Sequence, residues 1–384
     1  MSEYRYYEFR TIDRPLSDEQ MRELRGISTR AEITQTSFIN EYNWGDLKAR
    51  PERLVEDYFD AYLHITNYGL REVMLRVPLG ALDLHMAAEY QTDECLSIWS
   101  TETHHVVKFA PYLEDLGYED WWEDQRLLSS ITPLRDELAR GDLRALYLGW
   151  LFAAVYGWLE PDEPEPPLPA GLDRLTGPLS ALAQFICLDE DHLLAAAEAS
   201  PEPAPEPSND ELRSWLGNKT EAQKIDWLMK VVRGEDHTLG AYLRREFATE
   251  HDRLLAGRVA ETGSPRTAGA LYERAEQLYQ ERRAREQEKK RREEERKRQE
   301  QQRNRDAYLD QIEGQDEGLW AEVEQLVESY KPRDYDAAVE ILLDLHDLAE
   351  RKDNSAAFER RLADFKERYG RRRRLMERLE KKDL

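Results

Sequence analysis

Eight histidines and two cysteines are the residues of this sequence that could bind a transition metal. None of them lies in an HExxH or a paired CxxC pattern, the spacings that bring ligands onto one metal ion. His104 and His105 fall in a predicted strand, where adjacent side chains face opposite sides of the sheet, so both cannot reach one metal. His192 follows three acids at a predicted helix start, where acids are expected as caps. The sequence therefore predicts no metal site and no cofactor.

Motifs for phosphate binding and for nucleophilic catalysis do not occur, since the sequence has no GxxxxGK[ST], GxGxxG or GxSxG pattern. Carboxylates are plentiful in the N-terminal region, but no spacing selects a catalytic pair. Trp121 and Trp122 could stack on a base or a sugar, although the acids around them disfavour a nucleic acid. The alternative is that both are core residues. We expect no catalytic residue.

The loop NEYNWGD (40–46) concentrates polar and aromatic side chains between two predicted elements. Binding residues are often placed on such loops. Its candidate partner-binding residues are Tyr42, Trp44 and Asp46. The alternative is ordinary turn chemistry around Gly45.

The segment RRRRLMERLEKK (371–382) is the second candidate, with seven basic and two acidic residues. Leu375, Met376 and Leu379 give it an apolar edge for docking. It is also the main support for direct binding of nucleic acid. Its candidate partner-binding residues are Arg371, Arg372, Arg373 and Arg374.

The charge is unevenly distributed along the 384 residues, whose formal net charge is −24. Residues 265–384 hold 29 basic and 30 acidic residues, whereas residues 1–264 hold 26 basic and 49 acidic ones, a net charge of −23. Such a field repels nucleic acid and favours a basic protein partner. The alternative is that the acidity only keeps the protein in solution.

Cys95 and Cys187 are far apart in apolar contexts, which indicates two reduced core residues and a cytoplasmic location. The most apolar run, 145–159, has 15 residues and is too short to span a bilayer, which needs about 20. We therefore predict a buried core helix there and no membrane association.

Residues 1–120 read as an α+β domain. Strands are predicted at 4–12, 33–42, 70–78, 95–101 and 104–110, and helices at 17–25, 52–67 and 79–90. Ser17 with Gln20 forms a capping-box pattern at the first helix, and Glu102–Thr103 is the predicted turn of a hairpin. This order of elements is compatible with a ferredoxin-like sandwich.

Mostly helical regions are predicted to follow this domain. Residues 121–199 form a helical extension, with helices at 122–140, 142–159, 172–187 and 189–199, and 200–208 is a proline-rich linker. Residues 209–262 form a small bundle with helices at 209–217, 220–233 and 236–256.

A long charged helix is the clearest prediction, within residues 265–313. Acid-before-base pairs at i,i+4 recur in it, such as Glu288–Arg292 and Glu293–Lys297, and no Gly or Pro interrupts 270–313. Apolar residues at coiled-coil positions are missing, which favours a single solvent-exposed spacer helix. Residues 314–384 then form a helical module, including one hairpin of the tetratricopeptide type and the basic tail.

Three stretches, YYEFRTIDRPL, TSFINEYNWGDLKARPERLVEDYFDAYLHITNYGLREVMLRVP and LRDELARGDLRALYLGWL, resemble a family of uncharacterised bacterial proteins. The charged helix and the segment YDAAVEILLDLHDLAERK extend the resemblance over most of the chain. Members are often encoded beside proteins with a SWIM-type zinc finger, and sometimes beside SNF2-type helicases. The resemblance implies a protein partner of that zinc-finger kind and no catalytic residues.

These observations favour a non-enzymatic adaptor or scaffold in a multiprotein, DNA-linked bacterial system. Its acidic body, residues 1–264, would bind a basic protein partner. The protein would contact nucleic acid only indirectly, through that partner. The alternative is a carboxylate-dependent enzyme, a nuclease or hydrolase, in the α+β domain. Direct binding of nucleic acid through the basic tail is the third hypothesis.

Overall fold

The computed structural model describes residues 3–93, 95–112, 127–203, 207–233, 239–250 and 266–384. The chain divides into two compact units, Met1–Arg282 and Arg283–Leu384. The predicted pair Trp121–Trp122 lies outside the described residues.

The first unit is built on one seven-stranded sheet in which every neighbouring pair is antiparallel. The spatial order of its strands is β2-β3-β1-β4-β5-β7-β6. This confirms an N-terminal part that contains a sheet, followed by mostly helical regions; the ferredoxin-like arrangement stays a prediction. The strands are β1 (Arg5–Arg10), β2 (Glu32–Ile33), β3 (Ser37–Tyr42), β4 (Ala61–Thr66), β5 (Arg71–Pro78), β6 (Leu96–Ser100) and β7 (His104–Phe109).

Eleven of the described helices lie wholly within the first unit. They are followed by a long helix, α12 (Ala268–Ile312), which begins in the first unit and ends in the second. The eleven are α1 (Asp18–Ile27), α2 (Pro51–Asp57), α3 (Leu84–Ala88), α4 (Leu127–Ile131), α5 (Leu134–Ala139), α6 (Arg144–Val155), α7 (Gly177–Phe185), α8 (Glu190–Ala197), α9 (Asn209–Gly217), α10 (Glu221–Arg233) and α11 (Leu239–Glu250). The helices that follow are α12 (Ala268–Ile312), α13 (Asp316–Glu328), α14 (Pro332–Arg351), α15 (Ser355–Tyr369) and α16 (Arg373–Glu380).

The predicted helix at 52–67 is wrong in its second half, because α2 ends at Asp57 and β4 begins at Ala61. All six side chains of β4 are buried, so the strand shows no alternation of polar and apolar residues. Tyr62 packs in the core on one face of the sheet and Leu63 in the core on the other. A strand that is buried on both faces reads as a continuous apolar run, which periodicity cannot distinguish from a helix.

The predicted helix at 122–140 is also interrupted, since α4 ends at Ile131 and α5 begins at Leu134. Pro133 lies between them and has no N–H to continue the hydrogen-bond ladder of α4. Residues 145–155 of the apolar run lie in α6, in which eleven of twelve residues are buried; the predicted core helix is confirmed, but it ends at Val155, four residues before the predicted end. Within the described parts of the chain, the helices are all too short or too polar to cross a membrane.

Two hydrophobic cores cover the two faces of the sheet. One face packs with α1 and α2 around Phe9, Phe38 and Tyr62, and the other packs with α4 to α8 around Val107 and Phe109. Ser17 caps α1 in the predicted capping box with Gln20. The two faces of the sheet therefore carry separate cores. The predicted binding loop, residues 40–46, lies on the face that packs with α1 and α2.

Helix α12 confirms the long predicted helix, with the predicted pairs Glu288–Arg292 (2.7 Å) and Glu293–Lys297 (3.0 Å) present on its exposed surface. Gly314, with φ +82°, follows the helix and adopts the left-handed conformation typical of a helix stop. In the second unit, α13, α14 and α15 bury a core that includes Trp320, Leu342 and Phe365.

Candidate interaction site

The loop between β3 and α2 is fastened to β1 by the side chain of Asp46. One oxygen of Asp46 lies 2.5 Å from Arg5 Nη1, and the other accepts hydrogen bonds from the Tyr7 hydroxyl and, at 2.8 Å, from the backbone N–H of Leu47. Partial burial acts to raise the pKa of Asp46, but these donors and the Arg5 charge outweigh it and lower the pKa. The loop is therefore anchored by an ionised carboxylate.

Tyr42 and Trp44 have opposite environments in this loop. Tyr42 is half-buried, accepts a hydrogen bond from the Asn40 amide at 2.7 Å, and contacts the Tyr7 ring edge-on at 5.8 Å. The Trp44 side chain is 81 % exposed. Trp44 directly precedes Gly45, whose φ is +83°. The predicted residues Tyr42 and Asp46 thus hold the loop in place, and Trp44 is presented to solvent.

A buried ionic cluster lies on the same face of the sheet as the anchored loop. Glu72 accepts from Lys108 Nζ at 2.8 Å and lies 3.3 Å from Nδ1 of His64, whose ring stacks on Tyr7 at 4.1 Å. Burial acts to raise the pKa of Glu72, but the His64 hydrogen bond and the Lys108 charge outweigh it and lower the pKa to about 2. Because a carboxylate only accepts, Nδ1 carries the proton. Nε2 of His64 is buried without a hydrogen-bond partner among the described residues.

Replacing Glu72 with glutamine is expected to lower the free energy of unfolding by about 1–3 kcal/mol at pH 7, because Lys108 and His64 lose a buried charged partner. The folded pKa of Glu72 is depressed, so its stabilisation is present above the unfolded pKa of about 4.3. That stabilisation is lost as the pH falls toward 2. Urea titrations should therefore show the gap between wild type and Glu72→Gln closing from pH 5 to pH 2.5; a constant gap would contradict the assignment.

His104, His105 and His192 each have a partner close by in the sequence. His104 Nδ1 lies 2.8 Å from the Thr103 hydroxyl, and the buried His105 lies 2.8 Å from the Ser100 hydroxyl, on adjacent positions of β7. His192 completes a capping box with Asp189 at the start of α8, as the acids there predicted. None of these contacts gathers ligands for a metal.

His346, Asp347 and Glu350 on α14 form one group of metal-ligand type, with ligand atoms within 4.8 Å of one another. One of its carboxylates is already engaged, because Asp347 lies 2.5 Å from Arg305 Nη2. Arg305 also lies 2.5 Å from Asp344. We therefore assign Asp347 to an ion-pair cluster that fastens the end of α12 to α14.

The basic run of the C-terminal tail divides into one packed and three accessible arginines. The guanidinium of Arg372 lies 4.1 Å above the Tyr330 ring and 4.9 Å above Tyr369, and it donates to the backbone carbonyl of Val327. Its role is to dock the tail on its own unit. Leu375 and Leu379, the predicted apolar edge, are buried in the same core. The candidate residues that remain on the surface are Arg371, Arg373 and Arg374.

A further surface, on α10, is absent from the sequence-based candidates. Within the described helix Glu221–Arg233 no side chain is buried, and Trp227, stacked on Trp215 at 6.2 Å, marks the side that packs on α9. The opposite side carries Ile225, Leu228 and Val232, all more than half exposed. The spacing i, i+3, i+7 is visible in the sequence, but it does not reveal whether another element covers the stripe.

Comparison with known proteins gives no match, neither to a family model, nor to a curated protein, nor to a solved structure.

Proposed function

We propose that this protein is a non-enzymatic adaptor in a multiprotein, DNA-linked bacterial system. Its acidic body binds a basic protein partner, and α12 serves as a helical spacer to the C-terminal unit. Contact with nucleic acid is made by the partner. The resemblance to proteins encoded beside SWIM-type zinc-finger proteins suggests that the partner is of this kind.

The observation that carries the proposal is the exposed Trp44 on an anchored loop. A tryptophan exposes a large apolar surface to water, and its ring has few conformations to lose on binding, which is why tryptophan is frequent among dominant interface residues. Asp46 is bonded to Arg5 and Tyr7, so the loop that bears Trp44 is ordered before binding. Pre-ordering reduces the entropic cost of association.

The charge of the body supports a basic partner. Residues 1–264 carry a net charge of −23, and such a field accelerates encounters with a basic protein and disfavours nucleic acid. The complementary surface would be a basic protein segment with an apolar pocket for the indole. Binding of this kind weakens as salt rises, because exposed charges are screened.

Replacing Trp44 with alanine is expected to weaken partner binding about 30-fold, the effect of losing roughly 2 kcal/mol at an interface centre. The measurement is affinity purification of the tagged full chain from its host with quantitative mass spectrometry, followed by titration of the recovered partner. Tyr272→Ala is the matched control, since Tyr272 is a half-exposed aromatic residue on α12. It should leave the affinity unchanged.

Three outcomes would contradict the proposal. One is that no protein is recovered at low salt. The second is a partner that is acidic, or whose binding does not depend on salt. The third is equal loss of binding in Trp44→Ala and Tyr272→Ala. Direct binding of nucleic acid is tested separately by gel shifts with the full chain and with a variant in which the surface residues Arg371, Arg373 and Arg374 are replaced by glutamine, and no shift is expected.

A carboxylate-dependent enzyme, a nuclease or hydrolase, is the second candidate function. It is favoured by the pairing of His64 with Glu72, which leaves Nε2 of the imidazole as a base oriented by a carboxylate. The test is a panel of nuclease and hydrolase substrates with and without divalent metals. Turnover that is lost in His64→Ala would support the enzyme and displace the adaptor proposal.

A further inference from the structure

The exposed apolar face of α10 is large for a surface that meets only water. Five apolar side chains of α10 are between 40 % and 80 % exposed: Ile225, Leu228, Met229 and Val232 on this face, and Val231 at its edge, on the flank toward Trp227. Together they present on the order of 500 Å² per copy, within the range of patches that mark interaction sites on soluble proteins. Two such patches would bury about 1,000 Å², which reaches the lower bound for a specific interface.

The local charge around α10 indicates what can approach it. Residues 209–250, which include α9, α10 and α11, contain eight acidic and seven basic residues, a net charge of −1. The acidity of the body therefore lies elsewhere, and a basic partner gains little attraction at this surface. Two copies of the chain repel each other least where they are nearly neutral. A second copy is thus the occupant that the charge distribution favours.

The order of charges along α10 is self-complementary in one orientation. Its first turn carries Glu221, and its last turn carries Arg233 and Lys230, the latter also paired with Asp226 of the same helix at 3.1 Å. An antiparallel pair sets the acidic end of each helix beside the basic end of the other, and it also opposes the helix dipoles favourably. Lys224 departs from this order, but its ammonium donates to the backbone carbonyl of Gly217 at the end of α9, 3.5 Å away.

We propose that the apolar face of α10 packs antiparallel against the same face of a second copy, forming a two-fold symmetric homodimer. Two-fold dimers are the commonest symmetric assemblies, and the same patch then serves both subunits. The axis passes between Leu228 and Met229, so that Ile225 of one copy faces Val232 of the other. This inference is independent of the proposed adaptor function.

The first experiment measures the mass of the full chain by sedimentation or by light scattering over a range of concentrations. The wild type is expected to approach twice its 45.1 kDa at about 100 μM, where a Kd near 1 μM gives mostly dimer. Leu228→Asp and Val232→Asp should each remain monomeric, with unchanged circular dichroism because both side chains are exposed. Leu194→Asp, at a half-exposed leucine of α8, is the matched control and should still dimerise.

The second experiment tests the orientation of the two helices by cysteine cross-linking. Met229→Cys lies beside the axis and should form an intermolecular disulfide under mild oxidation, whereas Ile225→Cys should not. Burial raises the pKa of the native Cys95 thiol to about 12, which keeps it unreactive. Cys187 is replaced by serine in all samples. The negative control carries Cys187→Ser alone and keeps the native Met229.

The proposal is overturned by a wild type that stays monomeric at about 100 μM, or by a dimer that survives both aspartate substitutions. Equal cross-linking at positions 225 and 229 would exclude the antiparallel arrangement.

Discussion

Replacing Asp60 with alanine is expected to lower the free energy of unfolding of the first unit by about 3–5 kcal/mol, because it breaks a buried ion pair by removing one partner. Asp60 is fully buried directly before β4. One of its oxygens lies 2.7 Å from Arg76 Nη2, and the other accepts backbone N–H groups of Ile12 (2.6 Å) and Asp13 (3.0 Å). Without the carboxylate, the buried guanidinium of Arg76 loses its anionic partner and keeps only the backbone carbonyls of Val55 and Glu56, and two backbone N–H donors lose their acceptor.

The network around Asp60 extends to a second arginine. Arg135 on α5 is bidentate to Asp13 at 2.8 and 3.2 Å and donates to the backbone carbonyl of Arg76 at 2.5 Å. Arg135 therefore links α5 to the loop that follows β1 and to strand β5. Arg135 also lies 3.7 Å from Asp60, so the network links elements that are distant in sequence.

Chemical denaturation of the full chain measures the effect, with Asp173→Ala as the matched control. Asp173 forms an exposed ion pair with Arg174 at 3.1 Å, and such pairs contribute about 0–1 kcal/mol. A similar small change in Asp60→Ala would show that the buried network contributes little.

The same substitution should change the acid sensitivity of the protein. Burial acts to raise the pKa of Asp60, but the charges of Arg76 and Arg135 and the two backbone donors lower it. A depressed carboxyl pKa stabilises the fold above the unfolded value of about 3.9, and this stabilisation is lost as the pH falls through the folded pKa. The unfolding free energy of Asp60→Ala should therefore depend less steeply on pH below about 4.

Replacing Trp320 with alanine is expected to lower the free energy of unfolding of the second unit by about 3–5 kcal/mol. Trp320 is buried on α13, 5.9 Å from the Phe358 ring and 6.2 Å from the Phe365 ring, with Arg361 lying 4.8 Å above it. A unit of this size, Arg283–Leu384, has a total stability of roughly 5–15 kcal/mol. The substitution thus removes a large share of it.

Hydrogen exchange of the full chain resolves this effect by unit. Amides of α13, α14 and α15 should exchange faster in Trp320→Ala, while those of the sheet keep their protection. Trp44→Ala is the control, because its side chain is exposed and its loss leaves no cavity. Unchanged exchange in α13 would mean that Trp320 does not support the core of this unit.

Local signals in the sequence located many elements closely. Ser17 is the N-cap of the capping box with Gln20, so α1 begins at Asp18, one residue after the start of the predicted helix 17–25. Helix α9 has the predicted bounds 209–217. Both depend on contacts within a few residues, which the sequence specifies directly. The error at β4 has the opposite origin, since its strand is defined by pairing with β1 and β5, both remote from it along the chain.

The candidate site shows the same division between local and tertiary information. Loop 40–46 was predicted from its composition, but nothing local indicates that Asp46 reaches Arg5 and Tyr7 on β1. Likewise, the sequence of four adjacent arginines, 371–374, predicts one continuous basic surface. Only the packing of Arg372 against Tyr330 and Tyr369 shows that this residue does not belong to that surface.

The sequence by itself determined the long charged helix α12 and the acidity of residues 1–264, because helix formers, i,i+4 ion pairs and charge act over short distances or by summation. Only the tertiary structure decided which apolar stripes are covered. The stripe of α14 is buried in the core of its unit, whereas a stripe of similar spacing on α10 is left exposed. Periodicity shows that a helix has an apolar face, and the elements packed around it decide whether that face meets the core or solvent.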